Sequence, residues 1–255
     1  MFGEALVICE KELRSIRHNP ADRLMSLFRP LLFLFVFGSV GATLFKLTGQ
    51  AARLNYQQFM LPGILVNAVL ATAINYGITL KWEYDLGILS RILVAPIDRW
   101  AIVLGKALAS VVSAFVETAV LLTLALLIKI GFAQNVLGAL MSGIVLATFV
   151  IGAASLGMML AIILQSKEAF TGIAGLVIGP SLFASNTLYN LDQMPTWLRL
   201  ISLSNPVTYA VDFIRRTLVY QVFEPTALLT DFFAVMLFTL TMLIMTSALF
   251  QRLSR

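Results

Sequence analysis

The feature that most constrains the fold is a stretch of 22 uncharged, mostly apolar residues from Phe59 to Leu80. A helix of that length rises about 33 Å, and the hydrocarbon layer of a bilayer is roughly 30 Å thick. Charged residues make up only 12% of the chain, whereas a soluble domain carries roughly 25%. The stretch therefore predicts a membrane-spanning helix, and the composition predicts that lipid surrounds most of the chain.

Five other apolar runs are long enough to cross a bilayer, the shortest ones only with their flanking residues included. Together the runs predict six spans, at 28–45, 59–80, 107–128, 137–164, 169–187 and 232–250. Because backbone polar groups in lipid must be satisfied within the spanning segment, we expect an all-α integral membrane fold. One transmembrane domain accounts for the whole sequence, 1–255.

The Lys and Arg residues indicate how the predicted spans are oriented. Six spans place both termini on one side, and that side receives twelve of the 18 basic residues. Cytoplasmic loops carry such an excess, so we expect a multi-pass protein with both termini in the cytoplasm. The net charge is +5. We interpret the basic residues that cause it as determinants of topology and as contacts with anionic lipid headgroups, and not as a nucleic-acid site.

Residues 2–18 have the pattern of an amphipathic helix on the membrane surface. Apolar residues recur there at helical spacing, at Phe2, Leu6, Cys9, Leu13 and Ile16. Glu10 and Arg14 are i,i+4 partners on the polar side. A simple membrane anchor and a partner-binding helix both fit this pattern.

The segment 188–231 is too polar and too rich in proline to be a continuous span. Asp212 and the Arg215–Arg216 pair would lie unsolvated in lipid. Two short helices fit better, over Thr196–Leu203 and Val207–Tyr220, with a break at Asn205-Pro206. Broken helices at membrane depth need protein or water around them, so we predict an extracytoplasmic re-entrant hairpin before the last span.

The residue types needed for catalysis or metal binding are scarce. One histidine, His18, and one cysteine, Cys9, allow neither a catalytic triad nor a multi-thiolate metal site. Gly105-Lys106 lacks the upstream glycine and the following Ser or Thr of a phosphate-binding loop. The sequence therefore predicts that the chain is not itself an enzyme, holds no metal and uses no ATP of its own.

Glu117 is the one acidic residue placed well inside a predicted span. A carboxylate in the middle of a bilayer costs several kcal/mol unless it is paired, protonated or wet. It is either a polar group on a translocation path or a neutral group hydrogen-bonded to a neighbouring helix. Small residues at four-residue spacing, Gly38/Ala42 and Gly175/Gly179, indicate close helix packing within one subunit or between two.

The loop between the second and third predicted spans carries the most specific pattern. Leu86, Leu89, Ile92 and Leu93 form the apolar side of a short helix, 83–95, that ends before Pro96. Such a helix suits docking in a groove of a partner protein, and facing lipid headgroups fits it equally well.

This loop resembles the corresponding loop of the ABC-2 type transporter permeases, the transmembrane subunits of bacterial ABC exporters of the drug-resistance and nodulation type. The matching residues are Glu83, Asp85, Gly87, Leu89, Ile92, Pro96, Gly105 and Lys106, whereas Leu86 and Ile88 replace the usual Arg and Thr. Phe59-Met-Leu-Pro-Gly63 is similar to the opening of the family's second helix. The family's outer hairpin is matched by Met194–Arg199 and by Asn205, Pro206, Tyr209, Asp212 and Arg215.

The resemblance implies an exporter that is assembled from separate subunits in the inner (cytoplasmic) membrane. Two copies of this chain would join two separately encoded ATPase subunits, which bind the ATP and Mg²⁺. The interface helix 2–18 and the coupling helix 83–95 would contact the ATPases through Glu10, Arg14, Glu83, Asp85, Gly87, Leu89, Arg91 and Ile92. The first and fifth spans would form the dimer interface, at Gly38, Ala42, Gly175 and Gly179. Glu117, Phe33 and Phe37 would line the path.

Two kinds of cargo are consistent with the resemblance. The three tryptophans lie at predicted interfaces while the spans use phenylalanine, which favours a hydrophobic or amphiphilic cargo such as a drug or lipid. The alternative within the family is a lipo-oligosaccharide or polysaccharide. An ATP-independent secondary transporter or channel is the alternative outside it. That class predicts several intramembrane acids or an inverted repeat, and the sequence has one such acid and no convincing repeat.

Overall fold

The computed structural model describes residues 6–12, 28–36, 38, 56–87, 99–131, 135–164 and 166–252. Within these residues all regular secondary structure is helical, in two N-terminal segments, 6–12 and 28–36, and in seven further helices. These helices are α1 (Tyr56–Asp85), α2 (Arg99–Leu127), α3 (Val136–Ile163), α4 (Lys167–Phe183), α5 (Thr196–Ser204), α6 (Pro206–Ile214) and α7 (Pro225–Arg252). A 3-10 turn, Leu191–Gln193, precedes α5, and a π-helical turn, Arg215–Tyr220, follows α6.

Four of these helices, α1, α2, α3 and α7, are long and apolar enough to cross a membrane. The all-α fold and the multi-pass character are thereby confirmed. The fifth predicted span, 169–187, ends earlier than expected, because α4 has 17 residues and stops at Phe183. The first predicted span, 28–45, is helical over 28–36 and at residue 38, and residues 37 and 39–45 lie outside the described residues. The count of six spans stays a prediction.

One predicted boundary is wrong, and two helices extend beyond their predicted spans. Helix α1 continues through Glu83 to Asp85, so the coupling helix does not begin at 83. Helix α2 begins at Arg99, before the predicted span 107–128, and α7 begins at Pro225, before the predicted span 232–250. The prediction places the ends of these segments at charged side chains, whereas Glu83, Lys106 and Asp231 pair with residues of other elements. A paired charge no longer requires the helix to end beside it.

Helix α3 is the centre of the bundle and packs against α1 and α7 through glycines. A Cβ atom at Gly77 of α1 would lie 2.2 Å from the carbonyl oxygen of Gly157, and one at Gly157 would lie 2.5 Å from that of Ile74. Thr239 and Thr246 of α7 each donate a hydrogen bond of 2.8 Å to an α3 carbonyl, that of Thr148 and that of Ser155. Small residues thus bring the backbones together, as in other membrane bundles.

The Pro-rich region after α4 forms the two short helices that the sequence predicts. They separate at Asn205, whose backbone is extended and whose side-chain oxygen accepts from the Val207 N–H at 3.0 Å. Tyr209 donates to the Leu203 carbonyl at 2.7 Å and so ties α6 back to α5. The pair of helices and their break are confirmed, and the re-entrant placement of the hairpin in the membrane stays a prediction.

Candidate functional site

A buried charge cluster joins the N-terminal segment to the facing ends of α1 and α2. The Lys106 side chain of α2 is 1% exposed, and its Nζ lies 2.5 Å from Oε1 of Glu12 and 2.9 Å from Oε2 of Glu83. Lys11 approaches the other oxygen of Glu83 at 2.5 Å. We call Lys11, Glu12, Glu83 and Lys106 the Lys106 cluster. Because a buried ammonium is tolerated only with close partners, the cluster fixes three elements to one another.

The predicted coupling residues divide into an internal and an external group. Glu83 is 14% exposed at its side chain and bonds within the Lys106 cluster. Asp85, two residues further along and the last residue of α1, has a side chain that is 49% exposed and pairs with Lys81 at 3.1 Å. Gly87 follows in a turn with φ +69°, a left-handed conformation that favours glycine. Arg14, Leu89, Arg91 and Ile92 lie outside the described residues, and Glu10 is exposed on segment 6–12.

The surroundings of the Lys106 cluster hold segment 6–12 in place. Cys9 is buried beside Tyr76 and Ala109. The Tyr76 hydroxyl donates to the Ala109 carbonyl at 3.1 Å and lies 2.8 Å from Oγ of Ser113, joining α1 to α2. Burial, together with the nearby Glu12 carboxylate, raises the pKa of the Cys9 thiol. The thiol is therefore neutral and its role is packing.

A cavity of about 160 Å³ lies between segment 28–36, α1, α2 and α4. Segment 28–36 contributes Phe33 to its wall, α2 contributes Glu117 and α4 contributes Ile178 and Leu182. Of the predicted path residues the structure thus brings Phe33 and Glu117 together, and Phe37 lies outside the described residues. Sequence reasoning missed the polar residues that α1 adds to this wall, which are Asn67, Thr72 and Asn75.

Glu117 is buried, with 7% of the residue exposed. Thr72 of α1 donates to its Oε2 at 2.5 Å, which is the interhelical hydrogen bond of the second interpretation. The other oxygen, Oε1, has no hydrogen-bond partner among the described residues. The Thr72 hydrogen bond agrees with the second interpretation, and a role of Glu117 on a translocation path stays a prediction.

A second buried cation, Arg215, connects the opposite end of α1 to the hairpin. It is 3% exposed. Its Nη2 donates to the Asn186 carbonyl at 2.7 Å and its Nε to the Phe59 carbonyl at 3.2 Å, while its guanidinium lies 3.9 Å from the centre of the Phe59 ring. Asp212 lies 3.4 Å away on the previous turn. Burial raises the pKa of the Asp212 carboxyl, and the charges of Arg215 and Arg216 act in the opposite direction.

The loop that Arg215 contacts, 184–190, is also held by α1. Tyr56 donates to the Leu188 carbonyl at 3.0 Å, and Asn67 approaches Thr187 at 3.3 Å. Gly63 is needed here, because a Cβ atom on it would lie 2.3 Å from Cγ2 of Thr187. The two motifs that begin at Phe59 and at Asn205 therefore meet at one loop. Sequence reasoning did not identify that loop.

The glycines proposed for subunit packing have different surroundings. Gly38 is buried within the subunit, where a Cβ atom would lie 2.9 Å from Cγ of Gln57. Gly175 and Gly179 of α4 have no described residue within 4 Å of such an atom. Ala42 lies outside the described residues. Within the described part of the chain, α4 thus has an open glycine face.

The family model of the ABC-2 type transporter matches residues 4–219. That range includes the Lys106 cluster, Arg215 with its contacts, and the cavity. The chain belongs to the ABC-2 type transporter family. Members are transmembrane permease subunits that work with an ABC ATPase partner, so this chain is a multi-pass membrane permease and not the catalytic subunit.

Three proteins from different sources show similarity to this ABC-2 chain. A transport permease named ycf38 from Cyanophora paradoxa is 29% identical over 214 residues, 83% of this chain and 73% of its own. The daunorubicin resistance ABC transporter permease protein DrrB1 of Streptomyces coeruleorubidus is 26% identical over 200 residues, 78% and 69% of the two chains. Nodulation protein J of Rhizobium leguminosarum bv. viciae is 27% identical over 212 residues, 82% and 76%.

Proposed function

We propose that this ABC-2 chain is the permease subunit of an ATP-driven exporter that carries a hydrophobic or amphiphilic molecule. The observation that carries the proposal is the cavity between segment 28–36, α1, α2 and α4, with Phe33, Ile178 and Leu182 beside a few polar groups. Sites for such ligands are lined mainly by apolar side chains with a small number of placed polar ones. At about 160 Å³ this cavity holds only part of a drug-sized molecule, whose own site needs roughly 300 Å³ or more. The relative named for daunorubicin resistance supports a cargo of the drug type.

The Lys106 cluster mechanically connects the segment proposed to contact the ATPase with the helices that line this cavity. Segment 6–12 is bonded through Glu12 to Lys106 at the start of α2, and through Lys11 to Glu83 at the end of α1. A force on that segment therefore acts on both helices, and each of them forms part of the cavity wall. The ATPase contacts are assigned to the exposed residues beside the cluster, Glu10 and Asp85, and to the residues that follow Gly87 in the sequence, Leu89, Arg91 and Ile92.

The assembly that follows has two permeases and two ATPases in the inner membrane. The open face of α4 at Gly175 and Gly179 supports contact with a second copy of the chain, because glycine faces allow helices to approach closely. Six spans with both termini in the cytoplasm would place the Lys106 cluster on the ATPase side. The hairpin that contains Asn205, Pro206, Tyr209, Asp212 and Arg215 would then lie on the outer side.

The experiment is reconstitution of the permease in lipid nanodiscs with its ABC ATPase partner. We expect ATPase activity to rise on addition of an amphiphilic drug, and not of a lipid-linked sugar. Asp85→Asn together with Glu10→Gln should weaken capture of the ATPase, whereas Asp192→Asn, an exposed change in the hairpin, should not. Full capture by the double variant would contradict the coupling assignment, and stimulation by the sugar alone would contradict the cargo class.

A further inference from the structure

Two buried oxygen atoms in the cavity wall lack a hydrogen-bond donor. Oε1 of Glu117 and Oδ1 of Asn67 are both without a partner among the described residues, and both residues line the same cavity. The orientation of the Asn67 amide is fixed by its Nδ2, which donates to the Gly63 carbonyl at 3.0 Å. Leaving a buried acceptor without a donor is unfavourable. Both atoms are enclosed and belong to residues of the cavity wall, so a small side-chain movement would bring an acceptor to a ligand that carries donors.

The stronger of the two acceptors is a carboxyl group in low-dielectric surroundings. Glu117 is 7% exposed, and Ile64, Ala68 and Ala71 contribute to the wall around it. Thr72 holds Oε2 at 2.5 Å, which orients the group. A hydrogen bond that is assisted by full charge is about twice as strong as a neutral one, and desolvation increases the attraction further. A protonated amine is the group that satisfies this site best.

Arg29 is the other charged residue of the wall, and its charge opposes a cationic ligand. Its position limits that effect. Arg29 is exposed on segment 28–36, whereas Glu117 is buried. Charges in contact with solvent are screened, and a long arginine side chain can turn its guanidinium toward water or lipid headgroups. The buried carboxylate therefore dominates the electrostatics at the inner end of the cavity.

We infer that this cavity binds the protonated amine of an amphiphilic molecule, with Glu117 as its counter-ion and Asn67 as a second acceptor. The apolar part of the ligand lies against Phe33, Ile178 and Leu182. The terminal torsion of a Glu side chain is broad, so Oε1 can turn toward the ammonium group while Thr72 remains beside the carboxyl. This inference narrows the proposed cargo to amphiphilic amines. It rests on the proposed function, because only that function makes the bound ligand the transported molecule.

The test compares two fluorescent probes that differ only at the end of their alkyl chain. Dansylcadaverine ends in an ammonium group, and N-hexyl dansylamide ends in a methyl group. Both are titrated into nanodiscs of zwitterionic lipid that hold the full chain, alone and with its ATPase partner, and empty nanodiscs give the lipid background. We expect the wild type to bind the amine more tightly, and Glu117→Gln to reduce that preference roughly tenfold, the effect of one charged hydrogen bond.

Two further variants separate the role of the carboxylate from a general loss of structure. Glu117→Asp should keep part of the preference for the amine, and Arg29→Gln should keep or increase it. The neutral probe reports on an intact cavity, because its affinity should not change in Glu117→Gln. The inference would be overturned if Glu117→Gln left the preference for the amine probe unchanged. It would also be overturned if Arg29→Gln lost as much of that preference as Glu117→Gln does. Capture of the ATPase is measured on the same samples, so a failure of the proposed function is recognised separately.

Discussion

Lys106 and Glu12 are 94 positions apart in the sequence, and their side chains lie 2.5 Å from each other. Both are almost completely enclosed, with 1% and 6% of the side chains exposed. The pair connects the amphipathic N-terminal segment to the beginning of α2, and Glu83 adds the end of α1. This contact is the structural basis for treating segment 6–12 as part of the transmembrane unit and not as a separate membrane anchor.

Lys106→Met is expected to destabilise the protein strongly. The change leaves Glu12 and Glu83 near each other without the buried ammonium, and removing one partner of a buried ion pair costs about 3–5 kcal/mol. The midpoint of thermal unfolding in detergent measures the loss. Arg199→Gln is the control, because it removes a pair of 3.7 Å with exposed side chains, worth at most about 1 kcal/mol. Equal decreases in the unfolding midpoint for Lys106→Met and Arg199→Gln would contradict the assignment of Lys106 to a buried ion-pair cluster.

Cys9 should report on the position of segment 6–12. It is the single cysteine of the chain, it is 8% exposed, and burial raises the pKa of its thiol. Because the thiolate is the reactive form, maleimide labelling should be slow at neutral pH and should accelerate only as the pH rises above the ordinary range of a thiol. Lys106→Met should make labelling fast at neutral pH. Rapid labelling of the wild-type protein would show that the segment is not held against α1 and α2.

Arg215→Lys should weaken the hairpin although it keeps the charge. The guanidinium donates to two carbonyl groups, those of Phe59 and Asn186, and an ammonium group cannot reproduce that fork. Each unpaired carbonyl costs about 1–3 kcal/mol. Proteolysis of the loop 184–190 in nanodiscs measures the opening. Arg216→Lys serves as the matched control, since the contacts of Arg216 with Glu224 and Asp231 are 3.6 Å long and its side chain is 33% exposed.

The glycines of α1 and α4 should respond differently to alanine. Gly63→Ala places a methyl group 2.3 Å from Cγ2 of Thr187, and such overpacking costs about 1–3 kcal/mol. Gly175→Ala meets no described residue of the subunit within 4 Å, so the stability of the monomer in detergent should not fall. A Gly175→Leu/Gly179→Leu variant should instead lower the dimer fraction that light scattering detects. A full dimer in that variant would place the contact between copies elsewhere.

Local signals in the sequence were sufficient for the hairpin and insufficient for the ends of the spans. Asn205-Pro206 combines an N-cap with a proline at the first helical position, and both effects depend on neighbouring residues only. Lys106, by contrast, is surrounded by apolar residues, and its partners are far away in the sequence. Its charge therefore indicated a boundary at which the helix in fact continues. The polar wall of the cavity was missed for the same reason, because Thr72 has meaning only beside Glu117.

Helix α1 is held near both of its ends and packed closely between them. Its 30 residues form a rod of about 45 Å, with Glu83 tied to Lys106 at one end and Phe59 tied to Arg215 at the other. Between them, six residues before Glu83, Gly77 rests on the backbone of α3. Any displacement of α1 is therefore shared with α2 at one end and with the hairpin at the other. The two faces of the bundle are mechanically coupled through this one helix.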